Sequence, residues 1–471
     1  MLALCAANAA YLVGLESALT TPTALVAGTG APLMRMLRRA DVVATSVDEH
    51  LDVMDAIEGP LSSGVVLGAA PIAELLEERG CDAVLPFKSG ARLWTMAEWQ
   101  HLRVLAAPHR LTRQLENKLA LADIAQAADA RIPDTVTIRL DDDLVAAARA
   151  DGIALPRVFQ PAIGFAGAGT VLVHNADDLA ALVAEHAAAG STGVGKLVEF
   201  VDGEPVTVNG VVIPPDTHGA DADGAVLVGM IARQLTGIPG LTPTEFGSCG
   251  NEWSLPPARE SVTAVRSLAH RVGEELGRRG FAGAFGIDIV LPSGGGIPTL
   301  IEINPRWTAS LALQVELQAE RGLPTLLDAH LAAFKYHPEA RASLPELLAA
   351  YGTDEDAGCT RGTLEVSTVI AYNATAGPVR VNPDFEPGVW RLVGDDIERV
   401  RDGWRASDLR APEEFVAIPS GTSRDIAAGS YLVRVVRRGI SAIDARANDI
   451  RPVARVIMDR VVARVTASAD R

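Results

Sequence analysis

The chain has 471 residues, 48% of them hydrophobic and 21% charged, with a formal net charge of -17. That length exceeds one compact core and predicts about two to four domains, and the hydrophobic share excludes wholesale disorder. The acidic balance excludes a nucleic-acid or anionic-membrane binder, which needs a basic surface, but leaves room for a local basic pocket.

The start, "MLALCAANAAYLVGL", is apolar without a basic n-region. Apolar runs fall short of the ~18 residues of a membrane span. From residue 20 to 110, short apolar runs alternate with helical patterns. "TALVAG", "DVVATS", "GVVLG" and "DAVLPF" read as strands, "APLMRMLRRA" and "PIAELLEERG" as helices. Such alternation predicts a parallel sheet. Gly28 and Gly30 in "VAGTGAPL" suggest dinucleotide binding, but Leu33 stands where a third glycine belongs, so a tight βα turn fits better.

Residues 116 to 130, "ENKLALADIAQAADA", predict an amphipathic helix ended near Pro133. A second α/β unit follows: "LPRVFQPAIGFAGAGTVLV", the helix "ADDLAALVAEHAAAG", then strands "KLVEFV" and "VTVNGVV". Residues 256 to 280 form a long helix capped by Gly280. After the strand "AFGIDIVL", the loop "PSGGGIP" and "LIEINPRW" come the helices "SLALQVELQAE" and "PTLLDAHLAAF". Residues 336 to 360 read as a boundary loop, and 361 to 471 as a strand-rich region closed by the helix "RPVARVIMDRVVARV". Cys5, Cys81, Cys249 and Cys359 are too widely spaced for a zinc site or disulfide framework, and predict reduced thiols in a cytoplasmic protein.

"AFGIDIVLPSGGGIPTLIEINPR" predicts a β-hairpin turning at Gly295, which lies midway between Asp288 and Glu302. The simplest register sets these acids face to face, an arrangement that is destabilising by itself. A proton on one acid, an intervening arginine or a divalent cation would reconcile them. Strand periodicity adds Asn304 and Arg306 to the Glu302 face. Oxygen donors of this kind suit Mg²⁺, and a terminal guanidinium suits phosphate or carboxylate. The ordinary alternative is a solvent-facing polar side of a sheet.

Two stretches compete for phosphate. "GSTGVGKL", 190 to 197, fits a P-loop through Gly190, Gly195 and Lys196, but Leu197 replaces the Ser or Thr that holds Mg²⁺. It also follows a helix and opens a strand, the reverse of a P-loop, so it reads as an αβ turn. "QPAIGFAGAGT" places Gly164, Gly167 and Gly169 between two strands, where backbone N–H groups can close over phosphates.

In order, these segments resemble the ATP-grasp superfamily over roughly residues 80 to 335. "GIDIVL…LIEINPRWTAS" is similar to its metal-binding strands and "ENKLALADIAQAADARIPDT" to the helix with a phosphate-binding lysine. "PRVFQPAIGFAGAGT" resembles the glycine-rich lid and "KLVEFVDGEPVTVNGVV" the adenine-binding strand. The resemblance implies an α/β and α+β multidomain fold: an N-terminal parallel α/β (pre-ATP-grasp) domain at 1–112, an ATP-grasp region at 113–345 with its lid at about 135–200, and a strand-rich C-terminal domain at 346–471.

Residue by residue, the resemblance implies that Asp288 and Glu302 bind Mg²⁺, Glu302 bridging two ions, and that Asn304 holds the second. Mn²⁺ is an expected substitute. Arg306 would steady the transferred phosphoryl group or the acyl-phosphate, and Lys118 would meet ATP phosphates. Glu199 and Val201 would contact adenine through their backbone, with Glu204 reaching the ribose or merely closing a turn. Gln160 stands where the family usually has a lysine; Lys196 and Arg233 are candidates to compensate. Arg233, Glu245 and Arg361 are candidate substrate residues, with surface ion pairs as the plain alternative.

The implied activity is an ATP-dependent carboxylate–amine ligase: an acid becomes an acyl-phosphate, and an amine converts it to an amide. The partners implied are a small carboxylic acid and an amine or peptide, with a homodimer as the candidate assembly and neither nucleic acid nor membrane. The terminal regions together resemble peptide ligases of the pheganomycin-biosynthesis type, implying an amino-acid-like acyl donor. The competing readings are a non-catalytic ATP-binding regulator, which Gln160 allows, and a P-loop NTPase using Lys196.

Overall fold

The computed structural model describes residues 1–471 except 21–22, 151, 163–168, 191–192, 216–223, 255–257, 337–342, 352–364, 422–424, 440, 445–448 and 467–471. Five parallel strands open the chain: β1 (Leu2–Asn8), β2 (Thr23–Thr29), β3 (Val43–Ser46), β4 (Ala83–Pro86) and β5 (Arg103–Val104), in the order β3-β2-β1-β4-β5. The apolar start is therefore the central strand. Leu2 and Leu4 enter one core and Ala3 and Cys5 another, because both faces of the sheet are covered. Strand order reverses at β1, which opens a crevice at its carboxyl end. There Tyr11 stacks on Phe87 with ring centroids 4.5 Å apart.

The "VAGTGAPL" turn holds an internal anion. The Asp48 carboxylate accepts from the Gly30 and Ala31 N–H groups at 3.1 and 3.4 Å, at the start of helix Ala31–Arg39. That occupies the helix N-terminus a dinucleotide phosphate would need, in keeping with the tight-turn reading.

Three local expectations need correction. The boundary loop expected over 336 to 360 contains the helix Leu344–Tyr351. "GVVLG" is not a strand: Ser63–Leu67 is helical, with the Ser62 hydroxyl accepting from Val65 N at 3.3 Å. That cap outweighs the β-preference of two valines. A Cβ at Gly64 would sit 2.5 Å from Leu93 N, so glycine lets this turn pack tightly. The helix expected over 116 to 130 is confined to Leu121–Ala127. The preceding helix, His109–Glu116, stops at Asn117, whose side chain accepts from Leu119 N at 3.0 Å. Lys118 thus lies in a connection between helices.

The segment expected to act as the lid holds a four-stranded antiparallel sheet of β6 (Thr135–Arg139), β7 (Arg157–Pro161), β8 (Val171–Val173) and β9 (Val194–Glu199), ordered β6-β9-β7-β8. Helices Asp142–Arg149 and Ala176–Ala188 cover one face, enclosing Ile138, Val145, Phe159, Leu179 and Leu197.

Apart from a two-stranded pairing of Ile443–Asp444 with Asp449–Ile450, the remaining described strands form one ten-stranded sheet. They are β10 (Gly203–Ile213), β11 (Ala225–Thr236), β12 (Ser248–Glu252), β13 (Gly283–Pro292), β14 (Thr299–Asn304), β15 (Val366–Tyr372), β16 (Gly388–Val393), β17 (Asp396–Arg401), β18 (Glu414–Pro419) and β19 (Tyr431–Arg438). The order is β14-β13-β10-β11-β12-β15-β19-β18-β16-β17, so pairing of β12 with β15 carries the sheet into the C-terminal region. Helix Arg259–Arg278 packs Val265, Leu268, Val272 and Leu276 against β10, β11 and β13. No described helix is long and apolar enough to cross a membrane.

Candidate active site

The hairpin of β13 and β14 sets Asp288 directly opposite Glu302 and Gly286 opposite Asn304. A bulge follows: Ile289 faces Leu300, leaving Ile301 without a partner. The extra residue lets Ile287, Ile289, Leu300 and Ile303 all enter the core under helix Arg259–Arg278. The intervening acids and amide are thereby left on the opposite face, toward the cleft.

Asp288, Asn304 and Arg306 are tied together on that face. Asn304 Nδ2 donates to Asp288 Oδ2 at 3.2 Å, and Asn304 Oδ1 accepts from Arg306 Nη2 at 2.9 Å. Arg306 Nε donates to Glu116 Oε1 at 3.1 Å, and Nη1 to the Trp307 carbonyl at 3.1 Å. Its guanidinium carbon lies 5.9 Å from the centre of the Phe87 ring, beside the β1 crevice. Glu116 also accepts from Lys88 at 2.9 Å. Burial alone would raise the Glu116 carboxyl, but the Arg306 and Lys88 charges hold it below its ordinary range.

For Asp288 the balance tips the other way. Desolvation first, then the Glu302 charge, push its carboxyl up against hydrogen bonds from Thr207 and Asn304 and the Arg306 charge. Gln234, which had not been singled out from sequence, donates to Asp288 Oδ1 at 3.4 Å and to Ser248 at 3.3 Å. Its signal was positional only: period two from Ala232, which pairs with Thr207, itself opposite Asp288. Two facing carboxylates suit a hard divalent cation, which would relieve their mutual repulsion; Asn304 turns its amide nitrogen to Asp288 and its oxygen to Arg306. Among the described residues, no group of three or more His, Cys, Asp or Glu side chains could hold a metal.

Opposite this face stands Lys118. Its Nζ lies 3.8 Å from Glu302 Oε2, its side chain is 4% exposed, and its N–H donates to the Ala162 carbonyl at 3.1 Å. Lys196, a candidate to compensate for Gln160, joins them: it is buried on β9, directly opposite Gln160 on β7. Burial and then the Lys118 charge lower its amine to about 8, while Glu302 pulls upward.

The other predicted residues are more dispersed. Glu199 is exposed, and its N–H already donates to the Asp134 carbonyl at 2.8 Å; Val201 lies in the short link to β10. Glu204 and Arg233 pair with each other at 2.7 Å, at an angle outside hydrogen-bond geometry. Burial raises the Glu204 carboxyl, with Arg233 opposing. Glu245 is exposed on the β11–β12 loop. Gly169 has φ +73° at the end of the glycine-rich loop; Gly164, Gly167 and Arg361 lie outside the described residues.

Residues 115–310 match the family model for an ATP-grasp domain. No curated protein matches the sequence. The Rhizobium etli pyruvate carboxylase superposes with a TM-score of 0.56 at 15% identity, covering 93% of this chain and 35% of that chain. The chain thus spans about a third of that protein. The biotin carboxylase domain of the Hydrogenobacter thermophilus 2-oxoglutarate carboxylase, solved as a dimer with MgADP, ADP and bicarbonate, gives 0.57 at 14%, covering 93% and 86%. The L-amino acid ligase of Bacillus licheniformis gives 0.52 at 12%, covering 98% and 96%. At these identities the likeness is one of fold.

Proposed function

We propose that this chain, whose residues 115–310 form an ATP-grasp domain, is an ATP-dependent carboxylate–amine ligase. The observation that carries this reading is the face of Asp288, Glu302 and Asn304, ended by Arg306 and opposed by Lys118. A substrate carboxylate oxygen attacks the γ-phosphorus of ATP, ADP leaves, and an acyl-phosphate forms. An amine then attacks the acyl carbon, phosphate departs with its bonding pair, and the nitrogen loses a proton to give the amide. Positioning and charge neutralisation supply most of the catalysis in phosphoryl transfer.

Asp288, Glu302 and Asn304 would hold two Mg²⁺ ions, with Mn²⁺ as a substitute, and the metal would supply charge neutralisation for the phosphates. Lys118 offers its ammonium to the phosphates. Arg306, fixed by Glu116 and Asn304, presents a planar fork to the transferred group. Gln160 and the loop of Gly164, Gly167 and Gly169 cover the phosphates and exclude water from the acyl-phosphate. The backbone of Glu199 and Val201 receives adenine, and Glu204 reaches the ribose.

The finer reading is a peptide ligase that joins an amino-acid-like acyl donor to an amino acid or peptide, of the pheganomycin-biosynthesis type. The similarity in fold to an L-amino acid ligase supports it. Arg233, Glu245 and Arg361 are its substrate candidates, and a cytoplasmic homodimer its setting. The test is ADP release from Mg-ATP across a panel of acids, bicarbonate included, each paired with amino acids and peptides, with mass spectrometry of products. An amide formed in step with ADP is the expected result. Absence of ADP release across the panel would overturn the reading.

A further inference from the structure

The lid carries no lysine at Gln160, yet its buried face does not lack a cation. In the β7–β9 ladder, Phe159 pairs with Leu197 and Gln160 with Lys196. Phe159 and Leu197 are fully buried in the lid core. Because side chains alternate along a strand, Gln160 and Lys196 leave by the other face, side by side. That face meets Lys118, whose N–H is tied to Ala162; Ala162 in turn donates to Val194 O at 3.4 Å, at the start of β9. Lys196 is 3% exposed and interacts electrostatically with both Lys118 and Glu302.

Two buried ammonium groups near one carboxylate are poorly compensated by that carboxylate alone. Like charges repel strongly where water is scarce. The shared site suits a ligand with several negative charges, seated between lid and hairpin.

We propose that Lys196 is the lid's phosphate-binding cation, displaced by one strand from the Gln160 position, and that with Lys118 it clamps the polyphosphate of the nucleotide. This rests on the reading of the cleft as an Mg-ATP site. Gln160 then keeps a lesser part, offering an amide N–H beside the ammonium. The lysine that made "GSTGVGKL" resemble a P-loop serves phosphate from a strand instead of a helix N-terminus.

The test is calorimetric titration of the full chain with Mg-ATP and, separately, adenosine. Lys196→Met is expected to weaken ATP binding at least about tenfold and to change adenosine binding less than twofold. Lys196→Arg should stay within about threefold of wild type for ATP. The exchange Gln160→Lys/Lys196→Met, which moves the amine across the ladder, should recover most of the lost ATP affinity. Thermal melts of each variant separate binding from folding: removing one of two repelling cations should leave the melting temperature unchanged or raised. A Lys196→Met protein that binds ATP as wild type does overturns this assignment and leaves the ligase reading intact. A wild-type chain that binds no Mg-ATP overturns both. A lowered melting temperature with equal losses for ATP and adenosine would assign Lys196 a structural role and overturn the proposal.

Discussion

Asp288 and Glu302 face each other across the β13–β14 ladder, and Asn304 ties Asp288 to Arg306. Like charges opposite one another cost roughly 0.2–1 kcal/mol in a sheet, so this pair works against folding until a cation joins it. Asp288→Asn should therefore raise the melting temperature by about 1–3 °C without divalent cation. The same variant should lose at least about a hundredfold in Mg-dependent ADP release. Adding Mg²⁺ should stabilise the wild type, by about 2.7 kcal/mol at a hundredfold excess over Kd, and EDTA should remove the gain. Asp288→Asn should show little of that response in the same melt. A variant both less stable and fully active would contradict the account.

Glu116 acts through Arg306. It accepts from both Arg306 and Lys88 and is held well ionised by them. Glu116→Gln keeps an acceptor but removes the charge that orients the guanidinium. We expect kcat to fall about tenfold with KM for ATP changed less than threefold, because geometry at the transferred group is lost before ground-state binding. Arg306→Lys, which discards the planar fork, should fall further in kcat, by roughly a hundredfold. Steady-state kinetics of ADP release separate the two patterns.

The hairpin was legible because its information is local: a glycine turn, alternation of period two, and polar residues of one chemistry. The bulge at Ile301 was not, since only the demand of a distant helix for Leu300 in the core selects it. Lys118 was legible as a residue but not as a loop position, because Asn117 breaks the helix by accepting from the Leu119 N–H. Lys196 was legible as a candidate to compensate for Gln160, but its burial and its place in a ladder were not. Preceded by Gly195 at the edge of an αβ turn, it takes its setting from Gln160, its neighbour across a ladder. The continuation of the large sheet through β12 and β15 likewise joins residues more than a hundred positions apart in the chain.

Glu316 predicts a pH dependence of stability. Desolvation, then the Glu16 charge, raise its carboxyl to about 8, with Arg434 and the Ala406 and Ser407 N–H groups opposing. Glu16 itself bonds Trp404 and Arg405, so the cluster joins the N-terminal region to the C-terminal one. A carboxyl whose folded pKa exceeds its unfolded value favours the native state most at low pH. That contribution is lost as pH rises from the unfolded value, about 4.5, through 8. Glu316→Gln stays neutral throughout. Its melting temperature should exceed that of the wild type by about 2–5 °C at pH 8.5 and match it near pH 5. Parallel melts across that range check the crossing; a constant offset between the proteins would contradict the assignment.

Gly195 offers a test of lid geometry that leaves every charged group in place. A Cβ there would lie 2.5 Å from the Gln160 carbonyl oxygen and 2.6 Å from Phe159 Cε2. One of those contacts is backbone, so the strand pair itself must yield, at a cost of about 1–3 kcal/mol. Gly195→Ala should therefore loosen β7 against β9 and shift Lys196, its sequence neighbour, off the Gln160 register. The expected outcome is faster amide hydrogen exchange confined to residues 135–139, 157–161 and 194–199, with ATP affinity reduced several-fold. Exchange in β13 and β14 should be unchanged, since that hairpin is anchored by a separate core under helix Arg259–Arg278. Equal protection in the lid with unaltered ATP affinity would mean that the lid tolerates the added methyl group, and that the close approach at Gly195 does not set the position of Lys196.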